Sequence, residues 1–114
     1  GVNNDAAFGP MLMIGLGGIY VEVIRDVVFA PAPVTSDEAR SMLEQLQGIA
    51  LLHGVRGQPP SDITALVDLM VTVSQIADDW RNEIAEIDLN PVLVHAQGKG
   101  LSVVDALIVK REGD

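Results

Sequence analysis

The chain contains no cysteine, so disulfides and thiolate metal sites are excluded, which is compatible with a reducing cytosol. Basic residues are scarce: 7 Lys and Arg stand against 16 Asp and Glu, for a formal net charge of -9. That balance argues against a general binder of nucleic-acid backbone. Long hydrophobic runs are lacking too, because Gly or charge breaks every apolar stretch short of the roughly 20 residues a membrane span needs. No signal peptide, internal repeat, low-complexity tract or linker is present. The expectation is a cytoplasmic chain with neither a membrane nor a nucleic-acid partner. Hydrophobic residues make up 48% of the 114 positions, enough for residues 1–114 to bury one core as a single domain.

Gly1 to Ala7 carry no clear element start. Met11 to Ile14 reads as a buried strand stopped by Gly15-Leu16-Gly17-Gly18, and Ile19 to Ile24 as the next strand. The glycines suit a tight turn, and they equally let backbone N–H groups approach a phosphate. A dinucleotide fingerprint fails, because its third glycine would fall at Tyr20 and no helix follows. Glu22 shares a face with Tyr20 and Ile24, either as a site residue or as a solvated one. Val27-Val28-Phe29 continues in extended form to Pro31 and Pro33.

Thr35 and Glu38 stand at capping-box spacing before a helix whose apolar face is Ala39, Met42, Leu43 and Leu46. Gly48 interrupts it, and Ile49 to Leu52 is a short apolar segment. Arg56, in the loop His53 to Gly57, can reach a phosphate or a carboxylate, or cap nearby carbonyls. The longest helix opens after Pro59-Pro60 with Ser61 as N-cap and places Ile63, Leu66, Val67, Met70, Val73, Ala77 and Trp80 on one packing face. His53 and His95 are isolated in sequence, with no adjacent nucleophile or zinc partner. Strands at both ends with helices between them predict an α+β domain, a mostly antiparallel sheet with helices packed on one face.

The run Ile84 to Asn90 alternates strictly, which puts Glu86, Asp88 and Asn90 on one strand face and Ala85, Ile87 and Leu89 on the other. A turn over His95 to Gly100, symmetric about Gln97-Gly98, leads into a second apolar run, Leu101 to Val109, and sets Asn90 opposite Asp105. Asp105 joins the oxygen face, yet it shares its alternation set with Leu101, Val103, Leu107 and Val109, and an ionised carboxylate among aliphatics needs a partner. Mg²⁺ is one candidate, since it takes hard oxygen ligands and is usually held by one or two protein groups plus substrate phosphates. A backbone N–H is the other. A nucleotide stays compatible with the acidic charge, because bound Mg²⁺ reconciles phosphate with carboxylates.

Phe8-Gly9-Pro10, Gly15 to Glu22, Leu51 to Gly57, Glu86-Ile87-Asp88-Leu89-Asn90-Pro91 and Val104-Asp105-Ala106, in this order, resemble the ATP-grasp domain of NDP-forming acyl-CoA synthetases. Succinyl-CoA ligase β subunits are more distant relatives. The resemblance runs from about Phe8 to Lys110 and implies an ATP-grasp large-lobe subdomain whose N-terminal lobe lies outside this chain. It implies Mg²⁺ ligation by Asn90 and Asp105, with Asp88 as ligand or neighbouring support, and nucleotide contacts among Gly17, Gly18, Glu22 and Arg56. Leu107 stands where some relatives carry a basic residue, so a phosphate contact there lacks its usual side chain. The implied activity is that of an acid-CoA ligase using ATP/ADP, Mg²⁺ and CoA, through acyl phosphate and phosphohistidine, with the remaining domains or subunits of the synthetase as partners. The isolated chain is then expected to be inactive. The alternative is a non-catalytic regulatory or binding module, as in relatives fused to a lysine acetyltransferase domain.

Overall fold

The computed structural model describes residues 1–16 and 26–112. Among them the order is β1 (Val2–Asp5), β2 (Gly9–Gly15), β3 (Val27–Pro31), α1 (Ser36–Glu44), α2 (Ile49–His53), α3 (Ile63–Asp79), β4 (Ile84–Leu89), β5 (Val92–Val94), β6 (Leu101–Val103) and β7 (Ala106–Lys110). The expected strand Ile19 to Ile24 lies outside the described residues, as do Gly17, Gly18 and Glu22.

Five strands form one antiparallel sheet in the order β3-β2-β1-β4-β7, and β5 pairs with β6 in a separate ribbon. This is the expected α+β arrangement, with one correction. Val2–Asp5 is a strand at the centre of the sheet, bonded to β2 on one side and β4 on the other. Asn and Asp are poor strand formers in isolation, but two flanking strands override that preference.

Alternation gives the sheet two unlike faces. Val2, Leu12 and Ile87 stand side by side on one face and are buried against α1 and α3. Helix α1 contributes Ala39, Met42 and Leu43, and α3 contributes Leu66, Val67, Met70, Val73 and Ala77. The other face has no helix among the described residues. Its rungs run Phe29, Met13, Gly1, Asp88, Leu107 and Pro31, Met11, Asn3, Glu86, Val109.

Helix α1 starts on the expected capping box, Thr35 Oγ1 accepting from the Glu38 N–H and Glu38 Oε1 from the Thr35 N–H, both at 3.1 Å. Helix α3 starts one residue later than expected. The Ser61 N–H donates to the Leu52 carbonyl (2.8 Å), and Asp62 becomes the N-cap, accepting from the Ala65 N–H (3.1 Å). Trp80, expected in the core, is the C-cap of α3 and is more than half exposed.

Ser74, fully buried on α3, links the helix layer to the chain leaving β3. Its Oγ accepts from the Val34 N–H (3.0 Å) and donates to the Val71 carbonyl (2.9 Å). Ser74→Ala orphans the Val34 N–H in the core, and leaving a buried donor unsatisfied costs about 1–3 kcal/mol. Denaturant unfolding of the variant is expected to show that loss with an unchanged m-value, and a midpoint equal to that of the original chain would show that water replaces the hydroxyl.

Candidate functional site

The site is built on one hairpin. Partners in β4 and β7 run from Ile87 with Ile108 to Leu89 with Ala106, and partners in β5 and β6 from Val92 with Val103 to Val94 with Leu101. Both ladders have the same register. It is carried across the gap by the Asn90 N–H donating to the Asp105 carbonyl (3.1 Å) and the Val104 N–H donating to the Pro91 carbonyl (3.0 Å). The His95 N–H closes the far end on the Gly100 carbonyl (2.9 Å). Gly98 and Gly100 both have positive φ, 83° and 76°, a backbone region glycine enters freely. Asn90 and Asp105 therefore stand directly opposite each other, as the symmetric turn predicted. They occupy the break between sheet and ribbon rather than the interior of one continuous strand.

The expected need of Asp105 for a partner among its aliphatic companions is relaxed by exposure. The residue is exposed, because β7 lies at the edge of the sheet, beyond the helices. Desolvation therefore does not compel a cation there. Asp105 Oδ1 accepts from the Ala106 N–H (2.9 Å), which leaves Oδ2 for a ligand. Asn90 is exposed and its side-chain amide makes no hydrogen bond among the described residues. Asp88 is half-buried, two residues back along β4.

A groove of about 430 Å³ runs along the helix-free face, lined by Asp88 and Glu86 at one side and Met11, Met13, Phe8 and Phe29 at the other. Asn90 and Asp105 do not line it; Asn90 follows Asp88 by two residues at the end of β4. At Gly1 an added Cβ would fall 2.8 Å from the Ile87 carbonyl, so only glycine lets the chain lie this close to β4.

No group of three or more His, Asp or Glu that could hold a metal occurs among the described residues. The donor set at Asn90 and Asp105, one amide oxygen and one free carboxylate oxygen, instead suits Mg²⁺ arriving with phosphate ligands of its own. Arg56 has a positive φ of 51° and is exposed; its side chain makes no hydrogen bond or ion pair among the described residues and does not line the groove. Of the expected residues that are described, Asp88, Asn90 and Asp105 are brought to one hairpin and Arg56 is not.

Sequence reading missed two side chains here. His95 Nε2 lies 2.8 Å from Ser102 Oγ, a pairing the hairpin register contains but linear spacing hides. No carboxylate bonds the other ring nitrogen among the described residues, so the pair lacks the orienting group of a nucleophilic triad. The second is Asp62, which latches the hairpin to α3. Its Oδ2 accepts from the Gly100 N–H (2.8 Å), its own N–H donates to the His95 carbonyl (2.7 Å), and the Gln97 N–H donates to the Pro60 carbonyl (2.9 Å). The Gly100 and Ala65 N–H bonds lower the Asp62 pKa from 3.8.

Because the folded value is the lower one, the stabilisation from Asp62 is whole above the unfolded value and is lost as pH falls through the folded value. Asp62→Ala removes the latch at every pH. Faster exchange of the Gly100 and Ala65 amides in that variant, with β2 unchanged, is the expected result; unchanged exchange at Gly100 would mean that the ribbon is held by other contacts.

The family model of the ATP-grasp domain matches residues 1–109. The β subunit of an ADP-forming acetate–CoA ligase II from Pyrococcus furiosus is 46% identical over 109 residues, which are 96% of this chain and 46% of that protein. An ADP-forming 4-hydroxybutyrate–CoA ligase from Nitrosopumilus maritimus is 48% identical over 91% of this chain and 15% of its own length. Among solved structures, a Pyrococcus horikoshii protein superposes with TM-score 0.92 at 40% identity, over 98% of this chain and 47% of that one. The dinucleotide-forming acetyl-coenzyme A synthetase 1 of Ca. Korarchaeum cryptofilum, in complex with coenzyme A and Mg-AMPPCP, gives TM-score 0.88 at 43% identity, over 96% of this chain and 50% of that one. The chain thus spans half or less of the length of these relatives.

Proposed function

The chain belongs to the ATP-grasp domain family, and from that premise we propose that it is the Mg²⁺- and phosphate-holding half of the nucleotide site of an ADP-forming acid-CoA ligase. The observation that carries the reading is the rung on which Asn90 and Asp105 oppose each other, two residues along the chain from Asp88 of the open groove. The Pyrococcus furiosus and Nitrosopumilus maritimus relatives are ADP-forming CoA ligases, which favours catalysis over a regulatory module.

In this reading Asn90 and the free oxygen of Asp105 hold Mg²⁺, with Asp88 close behind. The ion supplies neutralisation of phosphoryl charge when bound. Asp105 keeps its position because Ala106 N–H fixes one of its oxygens and the hairpin register fixes its backbone. The groove along Met13, Phe29 and Met11 offers apolar surface for the rest of the nucleotide, closed by the upstream lobe that this chain does not include. Gly17, Gly18, Glu22 and Arg56 are carried as candidate phosphate or nucleotide contacts on the resemblance alone. The whole reaction joins an acid to CoA at the expense of ATP, through acyl phosphate and phosphohistidine, with the other domains or subunits of the synthetase supplying the acid and CoA sites. The 114 residues alone do not turn over.

Mg²⁺ titration of the chain, followed by amide NMR, is expected to give weak, fast-exchanging shifts confined to the neighbourhood of Asn90 and Asp105, because one amide and one carboxylate leave most of the octahedron to water. Saturation at micromolar Mg²⁺ without nucleotide would point to a complete protein site and sink the half-site reading. In the full synthetase, Asp105→Asn is expected to lower kcat by about a hundredfold or more at saturating Mg²⁺. Near-normal turnover would make this carboxylate structural.

A further inference from the structure

The outer edge of β7 pairs with nothing among the described residues. Antiparallel ladders alternate, so that every second residue points its N–H and C=O at one neighbour and the residues between point theirs the other way. Asp105 accepts from Asn90, and the Arg111 N–H donates to the Glu83 carbonyl (2.8 Å). The register shift in this ladder adds its extra residue to β4, between Ile84 and Glu86, so the alternation along β7 is unbroken. Residues 105, 107, 109 and 111 thus face β4, and Ala106, Ile108 and Lys110 face outward.

This edge has little of what normally blunts one. It has no proline or bulge, and its only charge is the terminal Lys110. Leu107 is 55% and Ile108 60% exposed, on opposite faces of the same strand. A strand with apolar side chains on both faces, and an outward backbone row open except for the Ala106 N–H that Asp105 Oδ1 holds, is a template for strand addition.

We propose that β7 pairs with β7 of a second copy of this chain, antiparallel about a two-fold axis through Ile108. Only outward residues can bond across the edge, so Ala106, Ile108 and Lys110 must meet outward residues of the partner, Ala106 with its carbonyl alone because Asp105 Oδ1 holds its N–H. The register that uses the whole strand sets Ile108 against Ile108, Ala106 against Lys110 and Leu107 against Val109. It also sets Asp105 against Arg111 at both ends of the pair, so opposite charges meet twice. The Asp105 oxygen not held by Ala106 faces that guanidinium, one of whose N–H groups already donates to the Arg81 carbonyl (3.1 Å). An isologous contact of this kind closes on itself and does not grow into fibres. The pairing requires neither Mg²⁺ nor ATP, but its end ion pair uses the same Asp105 oxygen that the nucleotide reading gives to Mg²⁺, so bound Mg²⁺ is expected to loosen the dimer.

Sedimentation equilibrium of the chain from micromolar to millimolar concentration, without metal or nucleotide, tests it. A monomer–dimer equilibrium is expected, and a chain that stays monomeric overturns the proposal. Ile108→Lys puts two ammonium groups face to face on the axis and is expected to weaken the dimer at least tenfold. Phe29→Lys, at the far side of the sheet, should leave it unchanged. A dimer indifferent to Ile108→Lys, or one broken by Phe29→Lys, overturns the proposal. Arg111→Glu should weaken the dimer and the double change Asp105→Arg, Arg111→Glu should restore it; failure to restore refutes this register. Should Ile108→Lys misfold, amide exchange in the original chain decides. Protection of Ile108 and Lys110 that rises with concentration supports the pairing, and protection independent of concentration overturns it.

Discussion

A single backbone register governs this domain's chemistry. Over Ile87–Leu89 and Ala106–Ile108 on one side of the break, and Val92–Val94 and Leu101–Val103 on the other, every partner assignment follows one offset. A slip of one residue would send Asp88, Asn90 and Asp105 to the helix face and drive Ile87 out of the core. The register is held from both ends. Burial of Ile87 beside Val2 anchors the sheet end, and Asp62, bonded through backbone groups to Gly100 and His95, anchors the turn end. Both carboxylate oxygens of Asp62 are spent on backbone donors from two different elements, so a helix cap doubles as a hairpin latch.

The two faces of the sheet divide the work. The helix face carries the cohesion: α1 and α3 bury Leu43, Val67 and their neighbours over Val2, Leu12 and Ile87. The opposite face keeps Met13, Phe29, Glu86 and Asp88 open along one groove. An acidic face on a chain of net charge -9 repels phosphate unless a cation intervenes, which fits a site where the metal arrives together with the phosphate.

Much of this was legible in the residues. Strict alternation over Ile84 to Asn90 and the glycines of the turn were enough to place Asn90 against Asp105, because hairpin register follows from turn symmetry and the pleat. The Thr35 capping box was legible for a similar reason, being local. What failed was whatever depends on distant neighbours. Val2–Asp5 is a strand only because β2 and β4 flank it. The cap moved from Ser61 to Asp62 because Leu52 takes the Ser61 N–H. Asp105 was read as needing a partner because of its aliphatic companions, but alternation says which face a side chain is on and nothing about what covers that face. The glycine-rich stretch Gly17-Gly18 and Glu22 carries resemblance without described geometry, and Arg56 sits in a loop whose reach periodicity cannot address.

Asp105 is where the structural demands and the chemical ones meet. Its neighbour Ala106 is the first residue of β7 to turn its N–H away from the sheet, and Asp105 Oδ1 takes that N–H. Without that bond, an outward donor beside the site would be left to water or to another acceptor. The same bond stops the carboxylate from rotating, so that the remaining oxygen is presented in a fixed direction at no further entropic cost when a ligand arrives. A glutamate would keep the charge, but its longer stem has one more rotatable bond and a different reach to the Ala106 N–H. Aspartate is thus favoured at this position by the backbone before any metal or phosphate is considered, and the site makes use of a side chain already held in place by the edge it terminates.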